Sequence, residues 1–148
     1  MSGAGQAQLV ALTHRLREAG EQGKGLRREL LAGIRVAVKP VLDDVRVSAA
    51  EVLPKRGGLA ARVAGSQFAV SSLLSGNNAR VRVVGKSGYN IAGMNRGRLR
   101  HPVFGTKVWV TQSVTPGWFD DPVRKAADAG MRDAVLAVVD SVARKVTP

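Results

Sequence analysis

The groups of this 148-residue chain that could move protons near neutral pH are two histidines, His14 and His101, and eleven carboxylates; cysteine is absent. Without thiols there is no cysteine nucleophile, no disulfide and no Cys-type zinc site. His14 falls among basic neighbours on a helical pattern, and His101 stands in Arg100-His101-Pro102, which reads as a turn before proline. Neither has oxygen ligands at a spacing that would complete a metal site. Asp43-Asp44 and Asp120-Asp121 are the candidate carboxylate pairs. Adjacent helical residues point about 100° apart, which is poor geometry for shared acid and base work. The glycines follow neither GxGxxG nor GxxxxGK[ST], so no phosphate loop is indicated. The sequence predicts no catalytic residue, no metal, no cofactor and no small-molecule substrate.

Charge gives the chemistry that remains. The formal net charge is +12, and no carboxylate occurs between Glu51 and Asp120. A surface of that sign favours polyanionic partners. Within the stretch, Arg80, Arg82, Lys86, Tyr89, Arg96, Arg98 and Arg100 are the candidate contacts to a partner or to DNA. Arginines of this kind could neutralise phosphates in a salt-dependent way or pair with acidic protein surfaces. RNA-recognition, zinc-finger and helix-turn-helix signatures are missing, and six aromatic residues leave little for base stacking. Any contact with double-stranded DNA is therefore expected to be indifferent to sequence.

These residues have to be carried by a short series of elements. Leu9, Leu12, Leu16 and Ala19 mark an amphipathic helix that stops near Gly20–Gly25. Leu26, Leu30, Ile34, Val38, Val41, Val45, Ala49 and Val52 mark a second, nearly thirty residues long, with Pro40 inside it. Proline removes a backbone donor and clashes with the preceding turn, which predicts a kink or break near Arg35–Lys39. After Pro54 and Lys55-Arg56-Gly57-Gly58 comes a short helical turn at Leu59–Ala64. Gln67–Leu74 and Ala79–Val84 then read as two strands joined by a turn at Gly76-Asn77-Asn78. Lys107–Val114 reads as a third strand of the same sheet. Residues 85–106 lie between the second and third strands as a long Gly- and Arg-rich loop. From Gly85 to Gly105 it is expected to be partly mobile in a free subunit and ordered in an assembly. Thr115-Pro116-Gly117 is a turn before a C-terminal helix with Asp121 as N-cap and Pro122 in its first turn. Its stripe is Val123, Ala127, Met131, Ala134, Val138, Val142 and Val146. Trp109, Phe104, Gly105, Trp118 and Phe119 read as structural anchors.

Together these predict an α+β fold in a single domain, residues 1–148. A long helical arm (1–56), kinked or split at Pro40, leads to a basic β region (57–119) with a small antiparallel sheet of about three strands. A C-terminal helix (120–148) packs on the sheet. Of 66 apolar residues, 20 are Ala and 22 are Val, so little area is buried per side chain. Part of the stability is therefore expected from neighbouring subunits. No apolar run approaches the roughly 20 residues of a membrane span, and no secretory pattern opens the chain, which suggests intracellular synthesis.

Gly57-Gly58-Leu59, two β runs, Val103-Phe104-Gly105-Thr106 and Pro116-Gly117-Trp118-Phe119 before a terminal helix, over residues 25 to 146, give the chain its resemblance to a family. It resembles the small tail-component family of long-tailed siphophages, the neck and tail-completion proteins at the head–tail joint. Members often carry an acidic residue just before Phe-Gly-Thr, where this chain has Pro102-Val103. The resemblance implies a structural, non-enzymatic virion protein assembled in the host bacterial cytoplasm. It implies a homo-oligomeric ring, with a hexamer favoured and a dodecamer the alternative, joined to a connector, a tail terminator or the tail tube. The alternative reading is a small sequence-nonspecific nucleic-acid-binding protein.

Overall fold

The first helix forms where apolar residues recur every third or fourth position. In the computed structural model, which describes residues 3–75, 78–86, 88–103 and 105–146, it is α1 (Gly3–Glu18), with Leu9, Leu12, Thr13 and Leu16 buried. The Thr13 hydroxyl donates to the Leu9 carbonyl at 2.8 Å, so its burial leaves no orphan donor. The stop expected over Gly20–Gly25 shrinks to Ala19 alone, and α2 runs Gly20–Val52. A Cβ on Gly23 would lie 1.8 Å from the Leu16 carbonyl oxygen. Glycine is needed there because the last turn of α1 meets the α2 backbone directly.

Pro40 lies within α2, which continues through it unbroken for 33 residues. A proline in a helix interior costs about 3 kcal/mol. Leu30, Ile34, Val38, Val41, Val45 and Ala49 are all buried along one stripe. Each large aliphatic side chain buried contributes roughly 1.5–3 kcal/mol, so the stripe outweighs the proline.

The chain clusters into two compact units, each drawn from separate stretches. The first takes Met1–Pro40, Val70–Val84 and Ala126–Pro148. In it α6 (Arg132–Val146) packs along α1, with Val135, Val139 and Val142 buried, and Lys145 pairs with Glu29. The sequence pattern places this helix across a sheet, whereas its packing partner here is α1. The unit also holds the middle of a two-stranded antiparallel sheet, β1 (Gln67–Ser75) with β2 (Asn78–Lys86), where Leu74 and Ala79 are buried. Of the expected turn, Gly76 and Asn77 lie outside the described residues.

The second unit takes Val41–Ala69 and Gly85–Lys125. After a 3-10 turn at Arg56–Gly58 comes α3 (Leu59–Ala64). Val41, Val45, Ala49, Val63, Phe68, Met94 and Trp118 are buried. The segment read as a structureless loop holds a short helix, α4 (Ile91–Asn95), and a strand, β3 (Arg98–Pro102). The Asn90 side chain caps α4 by accepting the Gly93 N–H at 2.9 Å. β3 pairs with β4 (Trp109–Ser113), so the strand expected over Lys107–Val114 belongs to a second two-stranded sheet and not to a three-stranded one.

The expected continuous C-terminal helix is interrupted. α5 (Asp120–Ala126) leads into a π turn at Ala127–Met131, in which Gly130 takes φ +114°, and then into α6. A π turn holds more residues than an α turn and rotates the face that follows it. The expected Ala134 is accordingly exposed, while Val135 and Val139 join Val142 inside. The fold is α+β: long N-terminal helices, two small antiparallel sheets and a C-terminal helix.

Candidate functional site

The β3–β4 ribbon carries the candidate residues that the fold brings together. Its ladder pairs Arg98 with Ser113, Leu99 with Gln112, Arg100 with Thr111, His101 with Val110 and Pro102 with Trp109. The Val114 N–H donates to the Gly97 carbonyl at 3.0 Å, and the Val103 N–H to the Val108 carbonyl at 2.8 Å, extending the ribbon at both ends. Its turn is closed by Thr106, whose N–H and hydroxyl both donate to the Val103 carbonyl at 3.0 Å. Gly105 sits in that turn at φ +77° with open space around it, a backbone requirement and not a packing anchor. Phe104 lies outside the described residues.

Directly opposed residues of an antiparallel pair share a face. One face holds Leu99, which is buried, with Gln112, His101 and Val110. The other holds Arg98, Arg100, Pro102, Trp109, Thr111 and Ser113, all exposed. The Arg100 guanidinium lies 5.4 Å from the centroid of the Trp109 ring, a diagonal cation–π contact across the strands. Trp109, expected as an anchor, is 56% exposed and is a surface residue of the outward face. None of the ion pairs among the described residues involves Arg98 or Arg100.

Asn95 joins the base of the ribbon to α5. Its carbonyl accepts the Gly117 N–H at 2.8 Å. Its Oδ1 accepts the N–H groups of Phe119 and Asp120, each at 3.0 Å, and its Nδ2 donates to Asp120 Oδ2 at 2.7 Å. The helix therefore takes its cap from a residue some two dozen positions upstream, and not from Asp121 as expected. The Asp121 carboxylate instead pairs with Arg124 at 3.4 Å. Trp118 is buried, with its carbonyl accepting the Ser48 hydroxyl at 2.7 Å. Phe119 lies edge-on to Trp118 at 5.7 Å and 6.0 Å from Phe68, over which Arg46 stacks at 5.8 Å. Trp118 Nε1–H has no acceptor among the described residues.

The remaining candidates are dispersed. Arg80 and Arg82 are exposed on β2 in the first unit. Lys86 ends β2, exposed, and Tyr89 is half-buried with its carbonyl accepting the Ile91 N–H at 2.9 Å. Arg96 is exposed at the C-terminal end of α4. His14 is on α1 and His101 on β3, and among the described residues no three His, Asp or Glu side chains gather as a metal site would require. Sequence reasoning missed Thr111, Ser113 and Asn95. The two hydroxyls become partners of the arginines only through the β3–β4 register, and nothing local marks Asn95 as the cap of a distant helix. No protein-family model, curated protein or solved structure matches this chain.

Proposed function

We propose that the chain is a structural virion protein at the head–tail joint of a long-tailed phage. It assembles into a ring of its own copies, a hexamer in the favoured form, with neighbouring neck and tail proteins around the DNA passage. The observation that carries this reading is the β3–β4 ribbon, which has no third strand among the described residues. Its turn region leaves Val103 and Val108 exposed. A lone two-stranded ribbon is marginal in water, and its open edges invite pairing with another chain. A neighbouring subunit at the edges and turn would remove both costs, and a head-to-tail contact of this kind closes into a ring when its rotation permits. The resemblance in Gly57-Gly58-Leu59, Val103–Thr106 and Pro116–Phe119 supports the same reading. The protein would then reside in the virion after assembly in the host cytoplasm, with no catalytic role.

Light scattering and negative-stain microscopy of the purified chain, alone and mixed with the connector and tail proteins of the same phage, test the proposal. Rings or discrete mixed assemblies are expected. A monomer that stays solitary over a wide concentration range and joins none of those proteins would refute it. A second reading, a nonspecific nucleic-acid-binding protein, is favoured by the carboxylate-free stretch from Val52 to Phe119. It predicts a monomer or dimer whose DNA affinity falls steeply with salt.

A further inference from the structure

We propose that the outward face of the β3–β4 ribbon is a binding site for the backbone of double-stranded DNA, with Arg98, Arg100, Thr111 and Ser113 holding phosphates. The inference goes beyond the ring reading and does not need it, since assembly calls on the edges and turn of the ribbon.

The chemistry of the face comes first. Phosphate oxygens are held chiefly by Arg, Lys, hydroxyl and backbone N–H donors. The ribbon register sets Arg98 opposite Ser113 and Arg100 opposite Thr111. The result is a guanidinium–hydroxyl unit repeated two residues along the strand, a translation of about 7 Å. That step is of the order of the distance between successive phosphates on one strand. Arg100 is held in place against Trp109, so less side-chain freedom is lost when it binds. Neither arginine has a carboxylate partner among the described residues, and the sequence supplies no acidic residue from Val52 to Phe119.

Shape selects the duplex. A two-stranded ribbon is one of the two protein elements that the major groove of B-DNA, about 12 Å wide, admits. Single strands are bound on rows of aromatic platforms. Here Trp109 is the one exposed aromatic side chain among the described residues, and Arg100 already stacks on it. Donors engaged with phosphate oxygens carry no sequence information, so binding is indifferent to sequence.

The test is fluorescence anisotropy of the full-length protein on a labelled duplex of random sequence, at several salt concentrations. Each lost phosphate contact lowers the slope of log affinity against log salt by about 0.9. Arg98→Gln with Arg100→Gln is expected to flatten the slope by about 1.8, so that a fourfold rise in salt costs about twelvefold less affinity than in the parent. Arg80→Gln with Arg82→Gln removes the same charge from β2 and is expected to leave the slope unchanged. Equal losses in the two double variants would overturn the proposal in favour of bulk charge. Tighter binding to the matching single strand, or to polyglutamate, would overturn it in favour of another partner. Should the ribbon variant fail to fold, hydrogen exchange of the unaltered protein decides. Duplex-dependent protection over 98–113 is expected, and its absence overturns the site. Ring formation measured on the same samples separates this outcome from the assembly reading, because either can fail alone.

Discussion

Replacing Asn95 with alanine removes three hydrogen bonds made by its side chain and leaves intact the fourth, from the Gly117 N–H to its carbonyl. The three are unequal. The bond from the Phe119 N–H is partly buried, so its loss strands a donor with restricted access to water, at about 1–3 kcal/mol. The two to Asp120 are exposed, and water replaces most of what they contribute. The expected total is about 2 kcal/mol, toward the upper end for loss of a helix cap. Urea titration followed by tryptophan fluorescence reads it well, because Trp118 is buried beside the cap while Trp109 is exposed in the folded protein. With a slope of about 2 kcal/mol per molar urea, the midpoint falls by about 1 M. Asn95→Asp keeps an acceptor for the two N–H groups but sets a carboxylate against that of Asp120. It should fall between parent and alanine variant and recover part of the difference in higher salt. An unchanged midpoint and slope for Asn95→Ala would refute the capping argument. Equal losses for Asp and Ala would show that the acceptor is not what stabilises α5.

Two glycines in one helix should respond with opposite sign. Gly25→Ala, with nothing within 4 Å of its added methyl, should stabilise by about 0.5–1 kcal/mol from helix propensity, whereas Gly23→Ala drives a Cβ into the Leu16 carbonyl and should lower the thermal midpoint measured by circular dichroism. Ile34→Ala empties a fully buried position on α2 and should cost about 3 kcal/mol, lowering the melting temperature by roughly 10 °C. The two tryptophans should separate just as sharply: Trp109→Ala is expected within about 0.5 kcal/mol of the parent, and Trp118→Ala to lose about 3–5 kcal/mol in denaturant titration. Trp118→Phe should cost much less than Trp118→Ala, since it keeps a ring in the core and removes the N–H that lacks an acceptor among the described residues.

Periodicity located what periodicity governs. The α2 stripe from Leu30 to Ala49 and the strands β1 and β2 were legible because each pattern repeats over many residues. β3 was not, since five residues ending in proline, with Leu99 as the one buried side chain, give too few repeats to stand out from a Gly- and Arg-rich background. The C-terminal stripe slipped because a π turn at Gly130 breaks the assumption of one helical pitch. Trp109 was misjudged on residue type: a large aromatic is usually interior, but its register opposite Pro102 puts it on the outward face. Of the candidate site, Arg98 and Arg100 were legible from charge. Their hydroxyl partners depend on pairing that only the folded chain defines.

The path of the backbone crosses between the two compact units four times, at Pro40, at Ala69, at Val84 and at Lys125. A single cut anywhere between Val41 and Lys125 therefore divides both units. Gene-level exchange that swapped one half of this chain for that of a relative would sever both bodies at once.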